Sequence, residues 1–125
     1  MNNIDYLEEI KKEINYIVTH EENDDLWGKE GFGFLSNRKF DRAEKKFKEL
    51  IMSQPKHQEG YEGLAYTYYN INEHEKALWF MQQAIDLAKN FLKGDYIDIE
   101  VIEEMEDNLD RMKKKKELNK WWEHK

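Results

Sequence analysis

Trp27-Gly28-Lys29-Glu30-Gly31-Phe32-Gly33-Phe34 and, 34 residues later, Tyr61-Glu62-Gly63-Leu64-Ala65-Tyr66-Thr67-Tyr68 are the stretches whose reading decides the fold. Trp27 falls opposite Tyr61, Gly31 opposite Ala65 and Phe34 opposite Tyr68. The same offset continues through Phe40 and His74, Asp41 and Glu75, Ala43 and Ala77, Phe47 and Met81, and Leu50 and Ala84. Size class is kept at nearly every pair, and self-similarity held at one period is the mark of a repeat architecture. The small residues Gly31 and Ala43, and again Ala65 and Ala77, lie on successive apolar helical stripes. There they let the two helices of a hairpin approach to about 8 Å. Trp27, Phe34, Phe47 and Leu50 fall on inward faces, as do Tyr61, Leu64, Tyr68, Met81 and Ala84. Short turns are expected at 37–39 and 71–73, where Asn37 and Asn72 tolerate the left-handed conformation. Asp41 and Glu75 then open second helices, with a carboxylate at the positive end of the dipole.

Written as a pattern, the units are Trp27-x-x-Glu30-Gly31-x-x-Phe34, Ala43-x-x-x-Phe47 and Pro55, then Tyr61-x-x-Leu64-Ala65-x-x-Tyr68 and Ala77-x-x-x-Met81. This resembles the tetratricopeptide repeat family, whose signature carries Trp, Leu-Gly, Tyr, Ala, Phe and Pro in that order. Glu30 stands at the Leu position of the first unit and Lys89 at the Pro position of the second. The resemblance covers about residues 24–91. It implies an all-α solenoid of about six antiparallel helices in one domain, with hairpins at 24–57 and 58–91. An N-terminal capping helix within 1–23 and a long C-terminal capping helix within 92–125 flank them. Helices are expected near 4–19, 24–37, 40–53, 58–71, 74–91 and 95–122, the last with its N-cap at Asp95. Two repeats bury too little by themselves, so the flanks must cover the stack. Ile4, Leu7, Ile10, Ile14 and Ile17 form one apolar stripe, expected to pack on the hairpin that begins near Trp27. Ile99, Ile102, Met105, Leu109 and Met112 form another, which fails beyond Met112.

Composition supports a folded, helical chain. Of 125 residues 39% are hydrophobic and 38% charged, and the 14% aromatic content supplies the anchors that disordered segments lack. One proline and very few β-branched Val and Thr favour helix over sheet. The absence of cysteine excludes disulfide scaffolds, thiol chemistry and thiolate metal sites. No apolar run long enough for a signal peptide or membrane span occurs, so a soluble, cytoplasmic protein without membrane insertion is expected. A net charge of -7 argues against nucleic-acid binding by the whole surface.

Nothing in the sequence points to catalysis, a metal or a cofactor. His20, His57, His74 and His124 are scattered, no metal-ligand spacing appears, and no glycine-rich loop precedes a helix. Gly28, Gly31 and Gly33 fall within a helix, where they read as close-packing positions. The stretch 20–25 has oxygen donors but lacks the alternation and central glycine of a calcium loop.

The resemblance implies a groove lined by the first helix of each hairpin, and its positions carry over to Asp25, Gly28, Lys29, Phe32, Leu35 and Ser36, then Glu59, Glu62, Gly63, Tyr66, Tyr69 and Asn70. Phe32, Tyr66 and Tyr69 lie off the inward stripes and are the expected anchors for a protein or peptide partner. On that reading Tyr66→Ala with Tyr69→Ala abolishes binding and leaves melting unchanged. A carboxylate clamp of the kind some members use for chaperone termini is absent, because Gly28, Phe32 and Gly63 stand where its Lys and Asn residues belong. The expected role is a non-enzymatic scaffold or adaptor. The alternatives are a homodimer formed through the long last helix, and a secretion or assembly chaperone of the same fold. Lys113 to Lys116 with Lys120, Trp121 and Trp122 read either as a helix end matched to its dipole or as a basic aromatic contact site. Trp121 and Trp122 could equally tuck back against the stack.

Overall fold

The computed structural model describes residues 5–14, 24–94 and 97–123, without the side chains of Asp24 and Asp25. Six α-helices follow one another: α1 (Tyr6–Glu13), α2 (Asp24–Ser36), α3 (Phe40–Ser53), α4 (Gln58–Asn70), α5 (His74–Lys93) and α6 (Ile99–Lys113). A 3-10 turn covers Trp121–Glu123, and no strand occurs among the described residues. The expected residues Ile4, Ile17, Asp95 and His124, and the stretch 20–23, lie outside those described.

The helix ends carry the offset found in the sequence. α2 and α4 begin at Asp24 and Gln58 and stop at Ser36 and Asn70, and α3 and α5 begin at Phe40 and His74, each pair 34 residues apart. The turns between them repeat as well. Arg38 and Asn72 have φ of 59° and 65°. The next amides reach back over the helix end, Lys39 N–H to the Phe34 carbonyl and Glu73 N–H to the Tyr68 carbonyl, each at 2.8 Å. This closure needs a left-handed residue just past the helix. In the first turn that residue is Arg38 rather than the expected Asn37, because the position is counted from the helix end and not chosen by residue type.

Each helix from α2 to α6 packs on the next in sequence, and α2 also touches α4. Phe47 of α3 is fully buried. A Cβ added at Gly31 of α2 would meet its ring at 2.6 Å, and one at Gly63 of α4 would overlap the same ring. One aromatic side chain therefore holds three helices together, and two glycines make room for it. Gly60 likewise yields to Ile51, at 2.8 Å, whereas Gly33 faces open space and is no packing position. Ala43, Leu64, Ala65, Ala77, Met81, Ala84 and Ile85 complete the buried seam. Each large side chain in it contributes about 1.5–3 kcal/mol. The Tyr61 hydroxyl donates to the Pro55 carbonyl at 2.7 Å, pinning the junction between the two hairpins.

Two expectations about packing need correction. Trp27 is half-buried, with the Lys46 ammonium 5.3 Å from its ring centroid, and Phe34 is also only half-buried. The edge of the first hairpin is thus less enclosed than the second, where residues 60–68 are all buried.

α1 covers α3 and α5. The Tyr6 ring meets Trp79 edge-on at 5.5 Å and Phe80 at 6.1 Å, Ile10 and Ile14 are buried, and Lys48 of α3 donates to Glu13 at 2.6 Å. At the other end α6 is shorter than the expected 95–122. Ile102, Met105, Leu109 and Met112 are buried, but Ile99 is 47% exposed. The helix stops at Lys113, where the apolar stripe ends, and Lys115 takes φ 55° with Lys116 N–H on the Arg111 carbonyl at 2.8 Å.

Candidate functional site

That third left-handed turn redirects the chain, and residues 116–123 run back across α6, α4 and α2. The closing 3-10 turn bonds within itself, Glu123 N–H to the Lys120 carbonyl at 3.0 Å, but the stretch before it has no helical or strand ladder, so its main-chain groups need partners from outside. Host side chains supply them. The Tyr69 hydroxyl of α4 donates to the Lys116 carbonyl at 2.6 Å, and Arg111 Nη1 of α6 donates to the Glu117 carbonyl at 3.1 Å. Arg111 is itself fixed by Asp107, with Nε 2.8 Å from the carboxylate. Asn108 grips one residue from both sides: its Oδ1 accepts from Asn119 N–H at 2.8 Å, and its Nδ2 donates to the Asn119 carbonyl at 3.2 Å.

Side chains of the segment fill the space between α2 and α4. Trp122 stacks on Tyr66, centroids 4.2 Å apart and planes at 24°. Trp121 lies 4.8 Å from Phe32 and meets Tyr66 edge-on at 6.3 Å. Leu118 and Trp122 are buried, while Lys116, Glu117, Asn119 and Glu123 are exposed.

Beneath the aromatic cluster lies a buried polar chain. Asn108 and Tyr66 are fully buried, and Glu62 is 6% exposed. Asn108 Nδ2 donates to the Tyr66 hydroxyl at 3.2 Å, which donates in turn to the Glu62 carboxylate at 2.7 Å. Burial pushes the Glu62 carboxyl up to about 7; the Tyr66 bond opposes this, and the charges of Glu104 and Glu59 add to it. The Trp121 indole faces the same carboxylate and also opposes its upward shift, whereas the Trp122 indole N–H is buried with no acceptor. Burial and the Glu62 charge hold the Tyr66 hydroxyl protonated.

Of the residues expected to line a groove, Phe32, Glu62, Tyr66 and Tyr69 come together here. They are not free anchors, because residues 116–123 already cover them. Leu35 is buried in the core, Gly63 faces Phe47, and Gly28 faces the Glu59 carboxylate, which a Cβ would overlap. Asn70 bonds within its own helix, to the Tyr66 carbonyl at 2.8 Å. Lys29 lines a separate depression with Leu26, Trp27, Glu30 and Lys46, and Ser36 is the half-buried last residue of α2. No hydrogen bond or ring contact among the described residues joins Lys29 or Ser36 to the cluster. The reading of a basic aromatic surface at 113–122 also changes: the tryptophans turn inward, and Lys114 pairs with Asp110 at 3.0 Å. The apolar stripe of α6, expected to cover the second repeat, packs on α5 with Ile102, Met105, Leu109 and Met112 buried. Asn108 and Arg111 were not among the expected site residues. Asn108 carried a signal, since it sits three residues after Met105 and four before Met112 on a buried stripe where a polar side chain needs a partner.

Among the described residues no group of His, Cys, Asp or Glu could hold a metal ion, and no helix is long and apolar enough to cross a membrane. No protein-family model, curated protein or solved structure matches the chain.

Proposed function

We propose that the chain is a non-enzymatic adaptor of the tetratricopeptide kind, whose α2–α4–α6 face binds an extended segment of a protein partner, and that residues 116–123 occupy this face in cis. The observation that carries the reading is the grip of Asn108 on both main-chain groups of Asn119. A host that bonds to backbone can accept segments of different sequence in one register, and stacked aromatic rings add about 0.5–1.5 kcal/mol per pair beyond their buried area. Helix boundaries repeating at 34 residues support the family resemblance.

The test uses a fluorescent peptide of residues 114–125 added in trans. With Trp121→Ala and Trp122→Ala together in the full chain, the face is vacated and saturable binding is expected by anisotropy. The unaltered chain is expected to bind at least about tenfold more weakly, because its own segment is present at high effective concentration. Absence of binding to a double variant that keeps its helical circular dichroism would remove the reading.

A further inference from the structure

Residues 116–123 meet their host in two different ways. Lys116, Glu117 and Asn119 are exposed and give only main-chain atoms to Tyr69, Arg111 and Asn108. Leu118, Trp121 and Trp122 enter the host with their side chains. The first kind of contact fixes register and direction, and only the second can discriminate between sequences. The rings are read as rings. The Trp122 indole N–H is buried without an acceptor, so its hydrogen-bonding capacity is wasted here, and a buried unpaired donor weakens the docked state. An occupant held in this way gives way to a segment that offers the same apolar surface without the stranded donor.

We infer that the face recognises, in a partner protein, an extended segment with an aliphatic residue followed after two positions by two adjacent aromatic residues, the spacing of Leu118, Trp121 and Trp122. The inference rests on the peptide-binding reading above and names its partner. Residues at the other positions of the segment are free to vary, and phenylalanine replaces the second tryptophan without loss.

The experiment titrates the full chain carrying Trp121→Ala and Trp122→Ala with a panel of peptides of residues 114–125. Alanine at position 118, 121 or 122 of the peptide is expected to weaken binding at least about tenfold, as for buried anchors. Serine at 116, 117 and 119 together is expected to change affinity less than about threefold, and phenylalanine at 122 to bind as tightly as the parent or tighter. If the double variant does not fold, the unaltered chain is titrated with the same peptides bearing a nitroxide, and broadening of the Tyr66 and Asn108 resonances is read instead. Peptides that bind equally well without their aromatic pair would overturn the inference while leaving the face a peptide site. Binding of no peptide at all would overturn both. Concentration-dependent self-association of the unaltered chain by light scattering, abolished by Trp122→Ala, would seat a second copy on the face and overturn the assignment to a partner.

Discussion

Two short coverings close this stack from opposite sides, and they are built on different terms. α1 lies on α3 and α5 as a helix, so its main-chain groups are bonded within itself and Asp5 caps its first turn, accepting from Leu7 N–H at 3.0 Å. What it offers its host is side-chain area: Tyr6 against Trp79 and Phe80, with Ile10 and Ile14 buried. Residues 116–123 lie on α2, α4 and α6 as irregular chain ending in a 3-10 turn, and the main chain of Lys116, Glu117 and Asn119 is bonded by Tyr69, Arg111 and Asn108 of the host. The floor differs too. Under α1 the host presents the Phe80 ring and a buried cation, Lys48, which Glu13 of α1 itself pairs, whereas under the segment it holds a buried carboxylate and a buried amide, Glu62 and Asn108, that are joined through Tyr66. A helix that satisfies itself is a structural cover. A segment whose main chain at Lys116, Glu117 and Asn119 is bonded by side chains of its host depends on that host in a way that α1 does not.

The largest effect that tests this contrast is Tyr66→Ala. The ring is fully buried, stacked on Trp122 and bonded to both Glu62 and Asn108, so its removal is expected to destabilise the chain by about 3–5 kcal/mol. Protection of the Asn119 amide against hydrogen exchange is expected to fall further than that of α5. Tyr6→Ala also loses stability, but Asn119 keeps its protection relative to α5, because the two coverings share no contact. Unchanged melting of Tyr66→Ala would restore the expectation drawn from the sequence and show that the segment does not enclose the face.

The polar floor yields a pH test. The Glu62 carboxyl is raised from the ordinary 4.5 to about 7, so the folded, covered state holds its proton where the unfolded chain has lost it. Stability due to this group is therefore full below about pH 4.5, declines as pH rises, and levels off above about pH 7. The groups that face it are Tyr66, Trp121, Glu59 and Glu104, and none is a cation that would reverse the sign. Glu62→Gln keeps the acceptor for the Tyr66 hydroxyl and removes the titration. Its stability relative to the unaltered chain is expected to be near zero at pH 4.5 and to rise to roughly 3 kcal/mol in its favour above pH 7, read from urea unfolding across that range. A difference that does not vary with pH would mean that water reaches the carboxylate and that the segment is not a closed cover.

The frame of the molecule was legible because it is periodic. Gly31 and Ala65, or Phe47 and Met81, can be seen only as pairs, and the period that links them also placed α2 to α5 to within two residues of their ends. The gathering of Phe32, Tyr66 and Tyr69 on one face followed from the same count. That they would be covered was not legible, since Leu118, Trp121 and Trp122 among lysines and glutamates follow neither a helical nor a strand period. The meaning of that segment resides in its host. Lys29 was misplaced for the opposite reason: a position carried over from a pattern gives a helix face, and the neighbouring helix decides which surface that face joins. Ile99 belongs to the apolar stripe by spacing yet lies in the first turn of α6, where it is left about half exposed.

The smallest effect separates the turn from the segment it aims. Lys115 holds φ 55° at the end of α6, as Arg38 holds 59° at the end of α2, and for an L-residue with a Cβ that conformation costs about 1–2 kcal/mol. Glycine removes this strain but gives the unfolded chain back about 0.5–1 kcal/mol of freedom. Lys115→Gly and Arg38→Gly are therefore each expected to stabilise the chain by about 0.5 kcal/mol, measured by denaturant unfolding. They differ in position, for only Lys115 adjoins the segment. The closing bonds of its turn, from Lys115 and Lys116 to Met112 and Arg111, lie within the end of α6, so the segment can lift from its tryptophans while the turn stays formed. Asn119 is then expected to exchange at the same rate in both glycine variants as in the unaltered chain. A slower rate confined to Lys115→Gly would mean that turn and segment leave together, making the cover a single piece with α6, and the contrast with α1 would lose its basis.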